Sequence, residues 1–232
     1  MKKLAAALLV VVAIAGGAVF WLSGNIDGLI KRAIANYGSA MTQTKVAVDE
    51  VKISPADGKG TLGNLVIGNP SGFRTPHAMK IGRIDVHIDI ASVARDVIVI
   101  RRIAIIAPEL NYELGSTMTN FDAIQKNIAS YLGSAENKKK GGTRLIVEEL
   151  TIRQARAQAS AALLGDKTVS VVLPDITLRN LGKARGGLTP GELGQQVAAA
   201  VTAKLAGAVN FEKLLQSGAA AKAGSAVKGL FK

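Results

Sequence analysis

The apolar positions of this chain keep two different periods, and the changes of period mark its elements. Residues 4–22 carry no charge at all. At 1.5 Å per residue that run makes a helix about 28 Å long, close to the thickness of a bilayer's hydrocarbon core. Beyond it Ile26, Leu29, Ile30, Ala33, Ile34 and Tyr37 recur at three- and four-residue spacing, with Asp27, Lys31, Arg32 and Asn36 between them. The spacing predicts a helix that covers a core with one face and ends at Gly38.

From residue 44 to 114 the period falls to two. Val46 and Val48 alternate, and Asp49-Glu50 then shifts the phase before Val51 and Ile53, as a bulge would. The turn cluster at 55–60 predicts a hairpin into a strand at 61–67, and Asn69-Pro70-Ser71-Gly72 breaks the chain again. Residues 79–91 set Ile84, Val86, Ile88 and Ile90 on one face and Arg83, Asp85, His87 and Asp89 on the other. Residues 97–106 are apolar on both faces, through Ile98, Ile100, Ile103 and Ile105 and their neighbours. A strand of that kind is expected to be covered on both. Pro108 stops it, and a short strand is expected at 111–114.

The helical period returns once Thr119 or Asn120 has capped a stripe of Phe121, Ile124, Ile128, Tyr131 and Leu132. Residues 134–142, with Lys138-Lys139-Lys140, form a solvated linker. Strands resume at 145–152, 155–164 and 169–178, the last two joined as a hairpin by Gly165-Asp166. Thr189-Pro190-Gly191-Glu192 carries the signature of a capping box with proline at the first helical position, and opens a helix to about Leu205 or Gly207. No repeat of fixed period emerges. Hairpin spacing and segregated helices predict an α+β fold: an N-terminal transmembrane helix, a curled and mainly antiparallel sheet with flanking helices, and a helical C-terminus.

Charge and composition set the surroundings. Lys2 and Lys3 precede the uncharged run and Trp21 sits near its end, so the N-terminus is assigned to the cytoplasm and the remainder to the far side of the membrane. Ala13-Ile14-Ala15 offers a signal-peptidase site as the alternative, but cleavage there leaves Val19, Phe20 and Leu22 on a new N-terminus. Either reading exports the domain. The chain then divides into an anchor at 1–23, a sheet domain at 24–180 and a basic helical region at 181–232. That last region holds seven basic and two acidic side chains. The net charge of +12 favours anionic partners, and aromatics at 4% are too sparse for the stacking platforms of single-strand nucleic-acid binders. Nucleic acid is not expected as a partner.

The chemistry of catalysis finds little footing. Without cysteine there is no disulfide scaffold, thiol nucleophile or thiolate metal site. No phosphate-cradling glycine loop, H-E-x-x-H or G-x-S-x-G occurs. Asp85, His87 and Asp89 share a strand face, but such a row is what any half-exposed strand displays, and His77 lies in a Pro-flanked loop as an ordinary surface residue. No catalytic, cofactor or metal site is assigned, and an enzyme is not expected.

Residues 46–53, the stretch from Gly60-Thr61-Leu62-Gly63 through Asn69-Pro70-Ser71-Gly72-Phe73, Ile81-Gly82-Arg83-Ile84-Asp85-Val86, and 103–113 with Ala107-Pro108-Glu109 together resemble the AsmA-like proteins of Gram-negative envelopes. The resemblance covers about the first 180 residues and rests on turn and strand signals. It implies one inner-membrane anchor, a periplasmic domain with a curled sheet, and a role in handling lipid acyl chains during envelope and outer-membrane maintenance. The chain is short for that family and lacks the long strand series needed to bridge two membranes. Ile84, Val86, Ile88, Ile90, Ile98, Ile100, Ile103 and Ile105 are the candidate lipid-contacting residues, and they also fit an ordinary core. Segments such as Val66-Ile67-Gly68-Asn69-Pro70 are similar as well to the late-embryogenesis-abundant type 2 domain, a β-sandwich, which implies a structural or interaction module instead. In that reading Ala198, Ala199, Val201 and Thr202 form a small-residue face for an envelope protein partner.

The tail at 208–232 has Phe211, Leu214 and Leu215 at one end, Val227, Leu230 and Phe231 at the other, and lysines throughout. Two glycine-serine pairs weaken its middle, so it is expected to fray in water and to fold as an interfacial helix on anionic lipid. A plain solvated tail is the rival reading. Circular dichroism of the 208–232 peptide separates them: helix gained on adding anionic vesicles supports the first, an unchanged coil the second.

Overall fold

A computed structural model describes residues 26–133, 143–161 and 168–213 of the chain. The uncharged run, the lysine-rich linker, the Gly165-Asp166 turn and the tail beyond 213 lie outside the described residues. Among the described residues no helix is long and apolar enough to cross a membrane. The fold is α+β, with one mixed sheet of nine strands and three α-helices among the described residues.

In chain order the elements are α1 (Ile26–Thr42), β1 (Val46–Ser54), β2 (Lys59–Gly68), β3 (His77–Ile88), β4 (Val97–Ile106), β5 (Glu109–Leu114), α2 (Asn120–Gly133), β6 (Arg144–Arg153), β7 (Arg156–Ala161), β8 (Thr168–Val172), β9 (Ile176–Leu181) and α3 (Pro190–Ala208). Short 3₁₀ turns stand at Ile90–Ser92 and Lys183–Arg185. Helix α1 does not stop at Gly38. It runs one turn further because Met41 is buried beyond the glycine, and Gln43, at φ +54°, terminates it. Burying a methionine outweighs the roughly 1 kcal/mol that a mid-helix glycine costs.

The registers reveal that the nine strands are six long ones, three of them broken at a corner. β3 pairs with β4 through Arg83↔Ile106 and with β5 through Lys80↔Glu109, two residues being left over on each side. The register is therefore continuous across the β4–β5 corner. The same holds for β6–β7 against β4–β5, and for β8–β9 against β6–β7. β4–β5 and β6–β7 run parallel, and every partner lies 47 residues further along the chain, from Val97↔Arg144 to Leu114↔Ala161. This is a structural repeat joined by α2. Its sequence gives no sign of it, since the apolar IAIIAPEL of one copy faces the polar LTIRQARA of the other. The two parallel pairings also correct the expectation that consecutive strands simply pair as hairpins. The expected strand at 169–178 is two, because Pro174 sits at its corner.

The corners align into one crease crossing all six strands. On each, the inward residues step by three instead of two: Val48 to Val51, Leu62 to Leu65, Ile81 to Ile84, Ile105 to Pro108, Ile152 to Ala155 and Leu173 to Ile176. Ile105 is partly buried and the other eleven are buried. Both intervening residues face outward, which alternating strand geometry forbids unless the backbone bends. Asn64, Ala107 and Gln154 supply the bend with φ of +52°, +49° and +55°. The phase change at Asp49-Glu50 is thus real. It is not a bulge against β2, whose register stays continuous because β2 slips at the same place.

A second slip crosses only β4, β6 and β9, at Arg101-Arg102, Glu148-Glu149 and Arg179-Asn180, with Asn180 at φ +54°. Here β3 keeps its phase, so the β3–β4 register jumps between His87 and Ile88. The run at 97–106 is apolar for this reason. Ile98 and Ile100 point inward before the slip and Ile103 and Ile105 after it. Its outer face is not covered: Val97, Val99 and Ala104 are only partly buried, and Ile106 is 46% exposed.

Three helices close the concave side, and one core joins them to the sheet. α1 also covers the free edge of β1, where Lys31 Nζ donates to Asp49 O at 2.7 Å, Ile53 N to Asp27 Oδ1 at 3.2 Å and Val46 N to Ser39 Oγ at 2.9 Å. Leu188, Leu193, Val201 and Leu205 of the α3 region belong to the same core as the strands.

The left-handed residues of the crease carry a testable cost. A non-glycine residue there is strained by about 1–2 kcal/mol, partly offset by the added chain entropy of glycine. Ala107→Gly and Gln154→Gly should each raise the urea midpoint, by up to about 1 kcal/mol in stability. Ala107→Val should lower it.

Candidate functional site: an apolar cavity beneath the crease

The crease and the helices do not meet fully, and a cavity of about 140 Å³ remains between them. Its sheet side follows the crease, with Leu65, Ile81, Ile84, Ile105, Ile152 and Ile176. Its helical side is made by Ile34 and Met41 of α1, Phe121 and Ile124 of α2, and Val197 and Ala198 of α3.

Polar contacts hold each helix in place. At the start of α2, Asp122 Oδ2 accepts from Thr119 N at 3.1 Å and from Thr119 Oγ1 at 2.6 Å, which assigns the cap to Thr119. Asn120 beside it is fully buried. Its Oδ1 accepts from Glu113 N and Phe121 N, and its Nδ2 donates to Asn69 Oδ1 and Asn111 O. Those four bonds fix the backbone from which Phe121 enters the cavity. The buried Glu113 accepts from Arg74 N at 2.7 Å, Thr75 N at 2.9 Å and Thr75 Oγ1 at 2.8 Å, so its charge is compensated by backbone and hydroxyl donors. Asn127 Nδ2 donates to Thr42 O and ties α2 to the end of α1. The expected capping box of α3 is present: Glu192 N donates to Thr189 Oγ1, and Thr189 N to Glu192 Oε2 at 2.7 Å.

Thr42 brings the single polar side chain to the lining, and its hydroxyl lies 2.6 Å from Gly38 O and 2.9 Å from Thr44 Oγ1. No titratable side chain is present. Such a wall can offer dispersion contact and exclusion of water, and has no group for acid–base or ionic work. In size it matches an engineered cavity of about 150 Å³ that takes benzene, and it is smaller than the roughly 300 Å³ at which drug-sized pockets begin.

Of the eight candidate residues, Ile84, Ile103 and Ile105 line this cavity. Val86, Ile88, Ile98 and Ile100 are buried elsewhere in the core. Ile90 does not share their face. The strand ends at Ile88, because Asp89 turns the chain into the 3₁₀ turn by accepting from Ala91 N, and Ile90 is 46% exposed. The sequence reading missed the helical wall and Leu65, Ile81, Ile152 and Ile176. The available signal was the three-residue step, read only at Asp49-Glu50. Val201 and Thr202 turn inward and Ala198 lines the cavity, so the proposed partner face on α3 keeps only Ala199 exposed.

The outer row of β3 is engaged otherwise. Asp85 accepts from Arg83 Nε at 2.9 and 3.0 Å and from Thr61 Oγ1 at 3.0 Å, and the hydrogen bond from Arg83 is the chief cause of a carboxyl pKa below the ordinary range. Asp89 caps the 3₁₀ turn and meets Arg101 at 3.5 Å. Among the described residues no cluster of His, Asp or Glu is arranged to hold a metal ion.

No protein-family model matches the chain, and no curated protein matches it.

One side chain of the inward helix face is mismatched to its place. Thr202 Oγ1 is buried with no hydrogen-bond partner among the described residues. Thr202→Val keeps the shape and removes the unsatisfied hydroxyl, which should stabilise the fold by about 1 kcal/mol, read as a raised urea midpoint with unchanged slope.

Proposed function

We propose that this chain is a membrane-anchored envelope protein of the AsmA-like type, whose exported domain shelters the end of a lipid acyl chain. The observation that carries this reading is the cavity beneath the crease, walled almost wholly by hydrocarbon. An empty void of about 140 Å³ costs about 3 kcal/mol at roughly 24 cal/mol per Å³. A core without a ligand to hold gains by collapsing onto such a space. The size supports the terminal carbons of one chain, with the headgroup left outside. The uncharged run at 4–22 and the positive charge of the chain favour a place at a membrane, with the domain in the periplasm.

The rival reading as a β-sandwich module has less support. The strands form one hydrogen-bonded sheet folded on itself and closed by helices, where a sandwich packs two sheets face to face.

Purified in mild detergent, the chain should carry phospholipid or fatty acid detectable by mass spectrometry, and should take up a fluorescent fatty acid. Ala198→Leu and Ala198→Phe fill the cavity from the helical side. They are expected to abolish uptake while holding or raising the melting temperature. Undiminished uptake by both folded variants would move the ligand elsewhere, and a lipid-free protein with no uptake would end the reading.

A further inference from the structure

The domain has two poles, and the start of α1 identifies one of them. Asp27 Oδ1 accepts from Ile53 N, Lys31 reaches Asp49 O and Ser39 reaches Val46 N. α1 therefore runs antiparallel to β1, and its first turn lies beside the β1–β2 turn. Only Ser23, Gly24 and Asn25 separate Ile26 from the end of the uncharged run at Leu22. The four steps from Leu22 to Ile26 span at most about 14 Å. If residues 4–22 cross a bilayer, this pole is held against its surface.

The pole is built for that position. Gly58, at φ +68°, donates nothing in bulk, and a Cβ there would collide with Ile88 O. The bare backbone lets Ile88 N donate to Gly58 O at 2.8 Å, which joins the β1–β2 turn to the loop at 89–96. In the 3₁₀ turn of that loop Ile90 and Ala91 are exposed. At the same end of the sheet are the exposed Arg95, Arg144, Lys183 and Arg185. Arg144 N donates to Asp96 O, and Arg144 Nη1 to Arg185 O, so these bases share one end of the sheet. Of the acids at this pole, Asp57 pairs with Lys59 at 3.4 Å and Asp89 with Arg101 at 3.5 Å, which leaves Asp27 and Asp96 without an ion pair among the described residues. An exposed isoleucine at the same end of the sheet as four exposed bases suits the boundary between acyl chains and anionic headgroups.

We propose that this pole docks on the anionic phospholipid surface of the membrane that residues 4–22 enter, with Ile90 and Ala91 in the interfacial layer and Arg95, Arg144, Lys183 and Arg185 on the headgroups. The proposal rests on the anchor and is independent of what fills the cavity.

The absence of cysteine makes the test clean. Ile90→Cys, Ala91→Cys and, at the opposite pole, Ser71→Cys are introduced singly into the full chain and labelled with an environment-sensitive fluorophore. The proteins are reconstituted in phosphatidylcholine vesicles with and without phosphatidylglycerol. With phosphatidylglycerol, labels at 90 and 91 should shift to the blue and be quenched by doxyl lipid, and the label at 71 should stay open to iodide. Lys183→Gln and Arg185→Gln in the Ile90→Cys background should each lower the docked population about fivefold. Labels at 90 and 91 as open to iodide as the label at 71, in a chain that resists carbonate extraction, would overturn the docking pole alone. Release of the chain by carbonate would overturn the anchor and the docking pole with it.

Discussion

A β-strand shows alternate residues to its two faces, so a sheet that bends around a core must break that alternation wherever it turns. In this protein the break is made on all six long strands at once, and each makes it by the same three-residue step. Because the registers align the steps, the sheet keeps an apolar concave side on both limbs of the fold. A step missing from one strand would send that strand's apolar residues to solvent beyond the corner. The remaining architecture follows from this constraint. The helices are needed to close the concave side, and the cavity arises where three convex helices meet a folded sheet. The left-handed backbone of Asn64, Ala107 and Gln154 is the local cost of the corner.

Much of the fold was legible in the sequence. The strands from 46 to 106 and the stripes of α1 and α2 declare themselves by period, and Thr189 with Glu192 announces α3. The crease was read at one strand only, although Gly63-Asn64, Gly82-Arg83 and Arg153-Gln154 part inward residues in the same way. At Asp49-Glu50 two adjacent polar residues face outward, and the pattern is plain. At Ile106-Ala107 the outward pair is apolar, so the slip hides within a run that reads as hydrophobic on both faces. At Pro174-Asp175 the pair resembles an ordinary surface turn in a strand too short to show a phase. The repeat was hidden for a related reason: the two copies share backbone geometry and burial, while Arg101-Arg102 in one stands against Glu148-Glu149 in the other. Similar structure here carries opposite charge.

The site was legible to a lesser degree. Ile84, Ile103 and Ile105 were within reach of strand periodicity because the residues nearest the crease on β3 and β4 are large and branched. The opposite wall comes from three helices far apart in the chain, and no local pattern announces which turn of each will leave a gap. Gly38 and Gly194 illustrate the difficulty. In sequence they look like helix ends or weak points, and in the fold they are places where a helix passes close to the cavity without filling it.

The constant 47-residue spacing between paired positions of β4–β5 and β6–β7 bears on how this chain can vary. Residues added within the lysine-rich linker lengthen the connection and leave every ladder bond and every corner in line. A single deletion inside any of the four strands displaces its corner by one position and turns the strand beyond it inside out. Natural variation in length should therefore be confined to the connections, and the spacing from corner to corner across neighbouring strands should be the most rigidly inherited distance in the molecule.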